Sequence, residues 1–425
     1  MFYIYRFLTN CSYPFLIIFI FLRIFKKKED PKRFKEKIFT KSFSVSRNKK
    51  KLVWFHAASI GEAKSILPII KELNHGDDIE FLITTVTFSS GELLKDEIKE
   101  LNNVEHRYFP FDIDFLMKQF ISLWKPDAVF LVDSEIWPNL IFNVKKNKIP
   151  LAIINARITA KTFKKWMIIK DTARTIFNTF DLCLCSNLET KKYLEILNSK
   201  NIYYNGNIKL INNIDLEEIT NHNKEFLLSN RFWFAVSTHK NEELLCLQTH
   251  LKLKEKFGNV ITIIAPRHIN RVNEIKTLCK KFSLNSQILK KDEIISKNND
   301  IIILNSFGEL NKYFKYSKSV FIGKSTIKKL ENVGGQNPID AAKLGCKIYH
   351  GPYTYNFKEI YEILKNHSIS HKINDSEDLY KNLAIDLKNT FKDNKKFSIL
   401  MNNLGQKTLA DTMKNMRNFL FNETL

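Results

Sequence analysis

The sequence predicts an α/β protein in which two doubly wound domains follow a hydrophobic N-terminal helix. A chain of 425 residues is too long for one ordinary core and suits two domains. Short apolar runs alternate with helical patterns along most of it, which is typical of a parallel sheet with helices on both faces. The alternation dissolves into polar residues near 208–223 and then resumes, so we expect a second sheet beyond that point.

The first segment of the chain, residues 2–25, is mostly apolar and aromatic, with an unbroken apolar run at 15–22. It only just reaches the ~20 apolar residues of a spanning helix, and no small-residue cleavage site follows it. A cluster of basic residues follows at 26–37, and anionic headgroups on the cytoplasmic side of a membrane attract such side chains. We therefore predict a membrane anchor at 1–25, spanning or lying in the interface, and a basic connector at 26–50, with the later domains cytoplasmic. The alternative is a hydrophobic helix packed on the body of the protein. The basic residues are Lys26, Lys27, Lys28, Lys32, Arg33, Lys35 and Lys37.

A series of apolar runs, each followed by a turn and a helical stretch, predicts the strands of the two sheets. We place the first domain at 51–212, a polar linker at 213–230, the second domain at 231–395 and a helical tail at 396–425. Since ligands of doubly wound sheets bind beyond the carboxyl ends of the strands, we expect a cleft where the two sets of strand ends meet. The predicted strands are 52–55, 81–86, 128–132, 151–154 and 182–185 in the first domain and 232–236, 260–264, 301–304, 319–322 and 347–349 in the second.

The composition is strongly basic. The formal net charge is +22, from 67 Lys and Arg against 45 Asp and Glu, which fits an acidic partner such as a nucleotide, a phospholipid or a nucleic acid. Lys, Asn and Ile are frequent throughout, so a coding bias is an alternative source of the charge. Basic and aromatic residues do not interleave as in single-strand binders, and we therefore predict no nucleic-acid partner. The six cysteines are scattered, which predicts reduced thiols and no zinc site.

Glu62 follows the first predicted strand, after a run of small residues. Ile66, Ile69, Ile70 and Leu73 recur at helical spacing, so Glu62 falls in the first turn of a helix. Free backbone N–H groups and the helix dipole favour an anion there, and we expect an ionised carboxylate at neutral pH. Such a carboxylate at the edge of a parallel sheet can take a proton from an incoming hydroxyl. The alternative is a residue that only starts the helix.

Loops of the second half carry groups suited to a phosphorylated ligand. Arg267 directly follows a predicted strand, where a guanidinium can bind a phosphate bidentately. The segment 305–310 follows the next strand and offers backbone N–H groups at a helix start. Gly334 and Gly335 let the backbone approach a ligand, and Asp340 shortly after them can accept hydrogen bonds from a ribose diol. Each of these loops, taken alone, has the residues of an ordinary turn without a binding function. Their occurrence at the ends of successive strands nevertheless favours a binding site.

Two acidic pairs of the first half have a spacing that metal ligands also show, Asp112 with Asp114 and Asp133 with Glu135. We predict no metal at either pair, because further oxygen ligands are missing from the pattern and basic loops can neutralise a phosphate instead. Lys209 closes the first half and places an ammonium toward the expected cleft. As a lone lysine it would more often be a solvated surface charge.

A set of motifs occurs in one order along the chain. They are HAASIGE at 56–62, DSEIWPN at 133–139, INAR at 154–157, GNIK at 206–209, STH at 237–239, APRH at 265–268, FGE at 307–309, GGQNP at 334–338 and GPYTYNF at 351–357. Together they resemble the 3-deoxy-D-manno-octulosonic acid (Kdo) transferases of lipopolysaccharide synthesis, glycosyltransferase family 30. The resemblance covers nearly the whole chain, including the N-terminal anchor, and no single motif carries it.

The resemblance implies a GT-B glycosyltransferase with two Rossmann-like domains that moves Kdo from CMP-Kdo to lipid IVA, with inversion and without a metal or another cofactor. It implies work at the anionic cytoplasmic face of the inner membrane, and we expect no obligate protein partner. Glu62 matches the family's general base, and Asp133 and Lys209 match positions of transition-state stabilisation. Gln336 stands where the family usually has His, Lys324 where it has Gly, and Asp340 where it has Glu. The matches to the CMP-binding loops are Pro266, Arg267, Phe307, Gly308, Glu309, Asn337, Pro338, Ile339 and Asp340.

Two other functions stay open beside this one. The first is a GT-B enzyme that uses another nucleotide sugar, or an epimerase of similar architecture. The second is a non-catalytic basic protein that binds a membrane or a nucleic acid, which the net charge alone would suggest.

Overall fold

The computed structural model describes residues 2–40, 50–74, 79–212, 214, 218–306, 308–388 and 395–421. Phe307 therefore lies outside the described residues, as do parts of the predicted connector, first domain, linker, second domain and tail. The chain divides into two compact units. The first comprises Met1–Asn212 with Gly405–Leu425, and the second comprises Asn213–Leu404.

The first unit is built on a parallel sheet whose described strands run in the order β3-β2-β1-β4-β5-β6-β7. The interior strands are apolar and buried because helices cover both faces of the sheet. The strands are β1 Lys51–His56, β2 Ile79–Thr85, β3 Val104–Tyr108, β4 Ala128–Val132, β5 Leu151–Ala156, β6 Leu182–Cys185 and β7 Ile202–Tyr204. The helices are α1 Phe2–Phe25, α2 Ile60–Leu73, α3 Phe88–Glu97, α4 Asp114–Trp124, α5 Pro138–Lys146, α6 Ala160–Ile168, α7 Lys170–Phe177 and α8 Leu188–Ile196.

The second unit repeats this architecture, with described strands in the order β10-β11-β9-β8-β12-β13-β14. All of its strand pairs are parallel. The strands are β8 Phe232–Thr238, β9 Ile261–Pro266, β10 Ser286–Leu289, β11 Ile301–Leu304, β12 Ser319–Ile322, β13 Lys347–His350 and β14 Ser370–Lys372. The helices are α9 Asn221–Ser229, α10 Glu242–Phe257, α11 Val272–Lys281, α12 Leu310–Phe314, α13 Ile339–Lys343, α14 Lys358–Asn366, α15 Ser376–Asp386 and α16 Lys395–Phe421.

Every strand that the sequence predicts is present, with ends displaced by no more than two residues. The strands β3, β7, β10 and β14 are not predicted, and they are the outermost described strands of the two sheets. An edge strand has a neighbour on one side only and is less buried, so its sequence lacks a continuous apolar run. The strand β14, for example, reads Ser370-His371-Lys372.

The end of the long helix α16 belongs to the first unit. Met413, Met416 and Leu420 are buried in the hydrophobic core of that unit. Gly405 permits the approach, because a Cβ at this position would lie 2.3 Å from the carbonyl oxygen of Leu210. The tail thus packs back onto the body of the protein.

Helix α1 packs a polar side on the first unit and exposes an apolar side. Tyr5 Oη donates a hydrogen bond to Asp112 Oδ2 at 2.9 Å, and Arg6 lies 3.1 Å from Asp114. Among the described residues, α1 is the one helix long and apolar enough to cross a membrane. The predicted anchor is therefore also docked on the protein along one side. Its exposed apolar residues are Tyr3, Ile4, Phe7, Leu8, Phe15, Ile18, Phe19, Phe21, Leu22 and Phe25.

The basic segment after α1 is only partly available to a membrane. Lys37 is buried, and its Nζ donates to Glu29 Oε2 at 2.5 Å and to the carbonyl oxygen of Val86 at 2.7 Å. Arg33 Nε lies 2.7 Å from Glu36 Oε1. The prediction that Lys37 faces lipid headgroups is therefore wrong, because its charge is used inside the protein. The exposed basic residues of this segment are Lys26, Lys27, Lys28, Lys32 and Lys35.

Candidate functional site

Glu62 lies in the first turn of α2, which Ser59 caps. The Glu62 N–H donates to Ser59 Oγ at 3.4 Å, and Ser59 Oγ donates to Glu62 Oε1 at 2.7 Å. The Ala58 N–H donates to Glu62 Oε2 at 2.8 Å. This S-x-x-E arrangement is a variant of the capping box, so Glu62 does stabilise the start of the helix.

The Glu62 carboxyl group is not simply ionised at neutral pH, contrary to the expectation from the helix dipole. Burial is the main cause that raises its pKa from 4.5 to about 7. The hydrogen bonds from Ser59 and Ala58 oppose this effect, whereas the charges of Asp133 and Glu135 add to it. The dipole contributes only about 0.3–1 kcal/mol, which is less than the cost of burying a charge. A general base works best when its pKa lies near the working pH, so a pKa near 7 favours this role for Glu62 beside its role as a helix cap.

Asp133 and Lys209 form an ion pair in the first unit, with 3.7 Å between Oδ2 and Nζ. Asp133 follows β4 directly and has a φ of +62°, a left-handed conformation that costs energy in a residue other than glycine. Its N–H donates to the carbonyl of Ile154 at 3.0 Å, and its own carbonyl accepts from the N–H of Arg157 at 3.2 Å. The neighbouring backbone therefore holds the carboxylate beside Lys209 and close enough to Glu62 to raise the pKa of that residue.

His56 and Glu135 join this group, although the sequence alone gave them no role. His56 Nε2 lies 3.4 Å from Glu135 Oε2, and Trp137 Nε1 donates to the same oxygen at 2.7 Å. The His56 imidazole is buried, with Nδ1 at 3.0 Å from Thr84 Oγ1 and the ring stacked on Phe109. These contacts orient the Glu135 carboxylate. The signal that could have identified both residues is their position at the carboxyl ends of β1 and β4, where Glu62 and Asp133 also lie.

Chain connections leave in opposite directions from the neighbouring strands β1 and β4 in the first unit and from β8 and β12 in the second, which makes each pair a topological switch point. Glu62 follows β1 and Asp133 follows β4. In the second unit, His239 follows β8 and Lys324 follows β12. Doubly wound proteins bind their ligands at this switch point, so each unit carries reactive or cationic side chains where the fold favours a ligand.

Arg267 extends from the carboxyl end of β9, of which Pro266 is the last residue. The Arg267 N–H donates to the carbonyl of Thr238 at 3.0 Å, and its side chain is exposed. His239 and His268 lie nearby, with their ring centroids 5.8 Å apart. The Arg267 guanidinium, which we predict to bind a phosphate, is therefore accessible at the edge of the sheet.

The loop that includes Gly308 and Glu309 leads into α12. Gly308 has a φ of +84°, where glycine is favoured. Glu309 is buried and its Oε1 lies 3.3 Å from Lys312 Nζ. Its carboxylate is thus already paired within the unit, so the loop can offer a ligand its backbone more readily than this side chain.

The second glycine-containing loop leads into α13. Gly335 has a φ of +84°, and Asn337 Oδ1 accepts a hydrogen bond from the Ile339 N–H at 3.0 Å. Pro338 is the residue immediately before the helix, and Ile339 is fully buried. Asp340 is half-buried in the first turn of α13. Of these residues, Asn337 and Asp340 have polar side chains for a ligand.

Glu242 organises the loop after β12, a role that the sequence did not indicate. The side chain is buried, and Oε2 accepts from the N–H groups of His239 at 2.9 Å and Lys324 at 2.7 Å. Oε1 accepts from the N–H groups of Ser325 at 2.9 Å and Thr326 at 3.1 Å, and also from the Thr326 hydroxyl at 2.9 Å. One carboxylate thus joins the ends of β8 and β12 at the switch point.

Comparisons with known proteins agree with this architecture. A family model described as 3-deoxy-D-manno-octulosonic-acid transferase (kdotransferase) matches residues 32–212. The 3-deoxy-D-manno-octulosonic acid transferase of Haemophilus influenzae is 28% identical over 85% of this chain and 86% of its own. That of Rickettsia typhi is 30% identical over 78% of this chain and 71% of its own.

A solved structure shows the same fold at low sequence identity. The UDP-GlcNAc 2-epimerase of Neisseria meningitidis, bound to UDP-GlcNAc, has a TM-score of 0.57 and 12% identity and covers 88% of this chain and 100% of its own. At this identity the likeness concerns the fold alone, and it confirms the predicted α/β class of the GT-B type. The fold does not separate epimerases from glycosyltransferases, but the sequence relatives do: this chain belongs to the 3-deoxy-D-manno-octulosonic acid transferase family of glycosyltransferases.

Proposed function

We propose that this protein transfers Kdo from CMP-Kdo to lipid IVA, with inversion at the anomeric carbon and without a metal ion or another cofactor. Membership of the family supports the transferred sugar. One observation carries the chemistry: a carboxyl group with a pKa of about 7, Glu62, lies at the switch point of the first unit near the Asp133–Lys209 ion pair. A base and a cation at this position suit the transfer of a sugar to a hydroxyl.

In the proposed reaction, Glu62 removes the proton from a glucosamine hydroxyl of the acceptor as that oxygen attacks C2 of Kdo. The bond between C2 and the phosphate oxygen breaks on the opposite face, and CMP leaves with the electron pair. Attack opposite the leaving group inverts C2. A positioned general base contributes about 10²–10⁴-fold to the rate, and its effect is greatest when its pKa lies near the working pH.

Cationic side chains take the place of a metal ion in this proposal. Lys209 and Arg267 stabilise the negative charge that develops on the leaving phosphate. Asp133 holds the Lys209 ammonium through the 3.7 Å contact and the strained backbone described above. The family resemblance implies transition-state stabilisation by Asp133 and Lys209 and CMP binding by Arg267, and we assign to each of them the charge on which it acts.

We assign the acceptor and the base to the first unit and the nucleotide to the second. The exposed Arg267 guanidinium can bind the phosphate bidentately, and the half-buried Asp340 can accept from the ribose. Ile339 is buried and would contribute only its backbone. The remaining members of the proposed nucleotide loops are Pro266, Phe307, Gly308, Glu309, Asn337 and Pro338.

A lipid acceptor also fits the N-terminal region. Lipid IVA carries acyl chains in the bilayer and two phosphates at its surface, so its transferase must work at the interface. The exposed apolar side of α1 can enter the bilayer while the exposed lysines at 26–28, 32 and 35 meet anionic headgroups. We therefore place the enzyme at the cytoplasmic face of the inner membrane.

The test is to incubate the purified full chain with lipid IVA and CMP-Kdo and to weigh the lipid product by mass spectrometry. We expect the mass to rise in steps of one Kdo residue, CMP to be released, and a chelator to leave the rate unchanged. A lipid of unchanged mass, together with release of UDP from a UDP-sugar, would instead favour another nucleotide-sugar enzyme. Strong salt-sensitive binding to polyanions without any transfer would favour the non-catalytic basic protein.

A further inference from the structure

Four basic side chains follow three adjacent strands at the switch point of the second unit. His239 follows β8, Arg267 and His268 follow β9, and Lys324 follows β12. Both β9 and β12 pair with β8, so the three strand ends are neighbours. Because the fold favours a ligand here, this cluster is suited to an anion.

Glu242, at the start of α10, already uses its carboxylate for hydrogen bonds within the second unit. Glu242 is buried, and its two oxygens receive backbone N–H groups and the Thr326 hydroxyl, as described above. Burial is the main cause that lowers the pKa of His239; the hydrogen bond to the Ser237 carbonyl and the charge of Glu242 oppose it, whereas the positive charges of Lys324 and His268 add to it. The positive charges of Lys324 and His268 thus act on His239, and an anion bound among these groups would offset them.

Lys324 occupies a conformation that a side chain disfavours. Its φ is +57°, in the left-handed region where glycine is the usual residue. Its N–H donates to Glu242 Oε2 and its carbonyl accepts from the Gly335 N–H, both at 2.7 Å. The Lys324 backbone is thus held between Glu242, at the start of α10, and Gly335, in the loop that precedes Asn337. A side chain held at such a position next to a ligand site points to a function of that side chain.

We propose that Lys324 is a donor-binding residue whose ammonium binds an anionic group of the nucleotide sugar, either its phosphate or the carboxylate of its sugar. This inference rests on the proposed function, because it takes CMP-Kdo as the donor. The link through Gly335 brings the Lys324 backbone to the loop proposed to bind the nucleotide. The second unit would then supply two cations to the donor, Arg267 and Lys324, from different strands.

The experiment compares Lys324→Gly and Lys324→Met with the wild-type chain. Glycine suits the left-handed backbone but gives the unfolded chain more conformational freedom, so Lys324→Gly should leave the melting temperature unchanged within about 2 °C. Both variants should nevertheless weaken donor binding about tenfold to hundredfold, since they remove a contact between charged groups. A loss of affinity without a loss of stability distinguishes ligand binding from a merely structural role. Lys329→Met, at an exposed lysine of the following turn, is the matched control and should change neither quantity.

The probes are CMP and cytidine in calorimetric titrations and CMP-Kdo in steady-state kinetics. If Lys324 binds the phosphate, both variants lose affinity for CMP but not for cytidine. If it binds the sugar carboxylate, the affinity for CMP stays and the KM for CMP-Kdo rises. Unchanged affinity for CMP together with an unchanged KM for CMP-Kdo would overturn the inference. A wild-type chain that neither binds CMP nor uses CMP-Kdo would overturn the proposed function itself, and this inference with it.

Discussion

Replacing Glu62 by glutamine removes the proposed proton acceptor with little change in size. The amide can keep its oxygen toward the Ala58 N–H, and the Ser59 hydroxyl can turn to accept from the amide nitrogen. The capping of α2 should therefore be lost at most in part, at a cost of about 1 kcal/mol. The variant thus separates the two roles that the structure gives this residue.

The expected loss of activity is large and confined to the chemical step. A positioned base contributes about 10²–10⁴-fold, or ~3–5 kcal/mol, so the turnover of Glu62→Gln should fall by that factor. The affinity for CMP should stay the same, because no proposed nucleotide-binding residue of the second unit is altered. For the wild-type chain, kcat/KM should rise with pH up to about 7 and then level off, as the carboxyl group loses its proton.

The same pKa predicts an effect on stability. The folded-state pKa of Glu62 is raised to about 7, above its ordinary 4.5, so the folded protein binds this proton more tightly than the unfolded chain does. The contribution of Glu62 to stability therefore falls as pH rises from about 4.5 to about 7. Relative to the wild type, Glu62→Gln should gain up to about 3 kcal/mol in the free energy of unfolding across this range.

The assays are mass spectrometry of the lipid product for turnover and chemical denaturation at pH 5 and pH 8 for stability. Glu72→Gln, at an exposed position near the end of α2, makes the same chemical change and should alter neither quantity. Turnover of Glu62→Gln at the wild-type rate would refute the general base. A stability difference that is equal at both pH values would refute the raised pKa and leave Glu62 as a helix cap.

Three further predictions concern the donor site, the core and the anchor. Arg267→Ala should raise the KM for CMP-Kdo about tenfold to hundredfold in steady-state kinetics, because a charge-assisted hydrogen bond contributes about 1.5–3 kcal/mol. An unaltered KM would contradict the phosphate role of Arg267. Lys37→Met should lower the free energy of unfolding by about 1–3 kcal/mol in chemical denaturation, since the buried Glu29 Oε2 loses its ammonium while Arg23 keeps its ion pair with Oε1. Adding Glu29→Gln should restore part of the loss. Deleting residues 1–25 should release the protein from anionic vesicles at high salt in a flotation assay; a truncated chain that stayed wholly bound would argue against the anchor.

The interior of both sheets follows from the sequence, whereas their edges do not. Strands such as β4 and β11 are covered on both faces, so every residue must be apolar and the run is visible in the sequence. The strands β3 and β14 contain charged or polar residues and pair on one side only. Their strand conformation depends on the neighbour with which they pair, and a local pattern cannot reveal that partner.

The amino-acid sequence by itself determined the α/β class, the positions of the interior strands, the helix start at Glu62 and the family. These depend on local patterns of apolar and turn residues, or on motifs in order along the chain. Only the tertiary structure decided which charges are exposed and which are used internally. Lys37 and Glu242 are buried, and each bonds to a residue distant in sequence, Val86 and Lys324 respectively. The pKa of Glu62 reflects burial and the charge of Asp133, 71 positions later in the numbering. The ionisation of a side chain depends on its surroundings in space, and the fold alone brings those surroundings together.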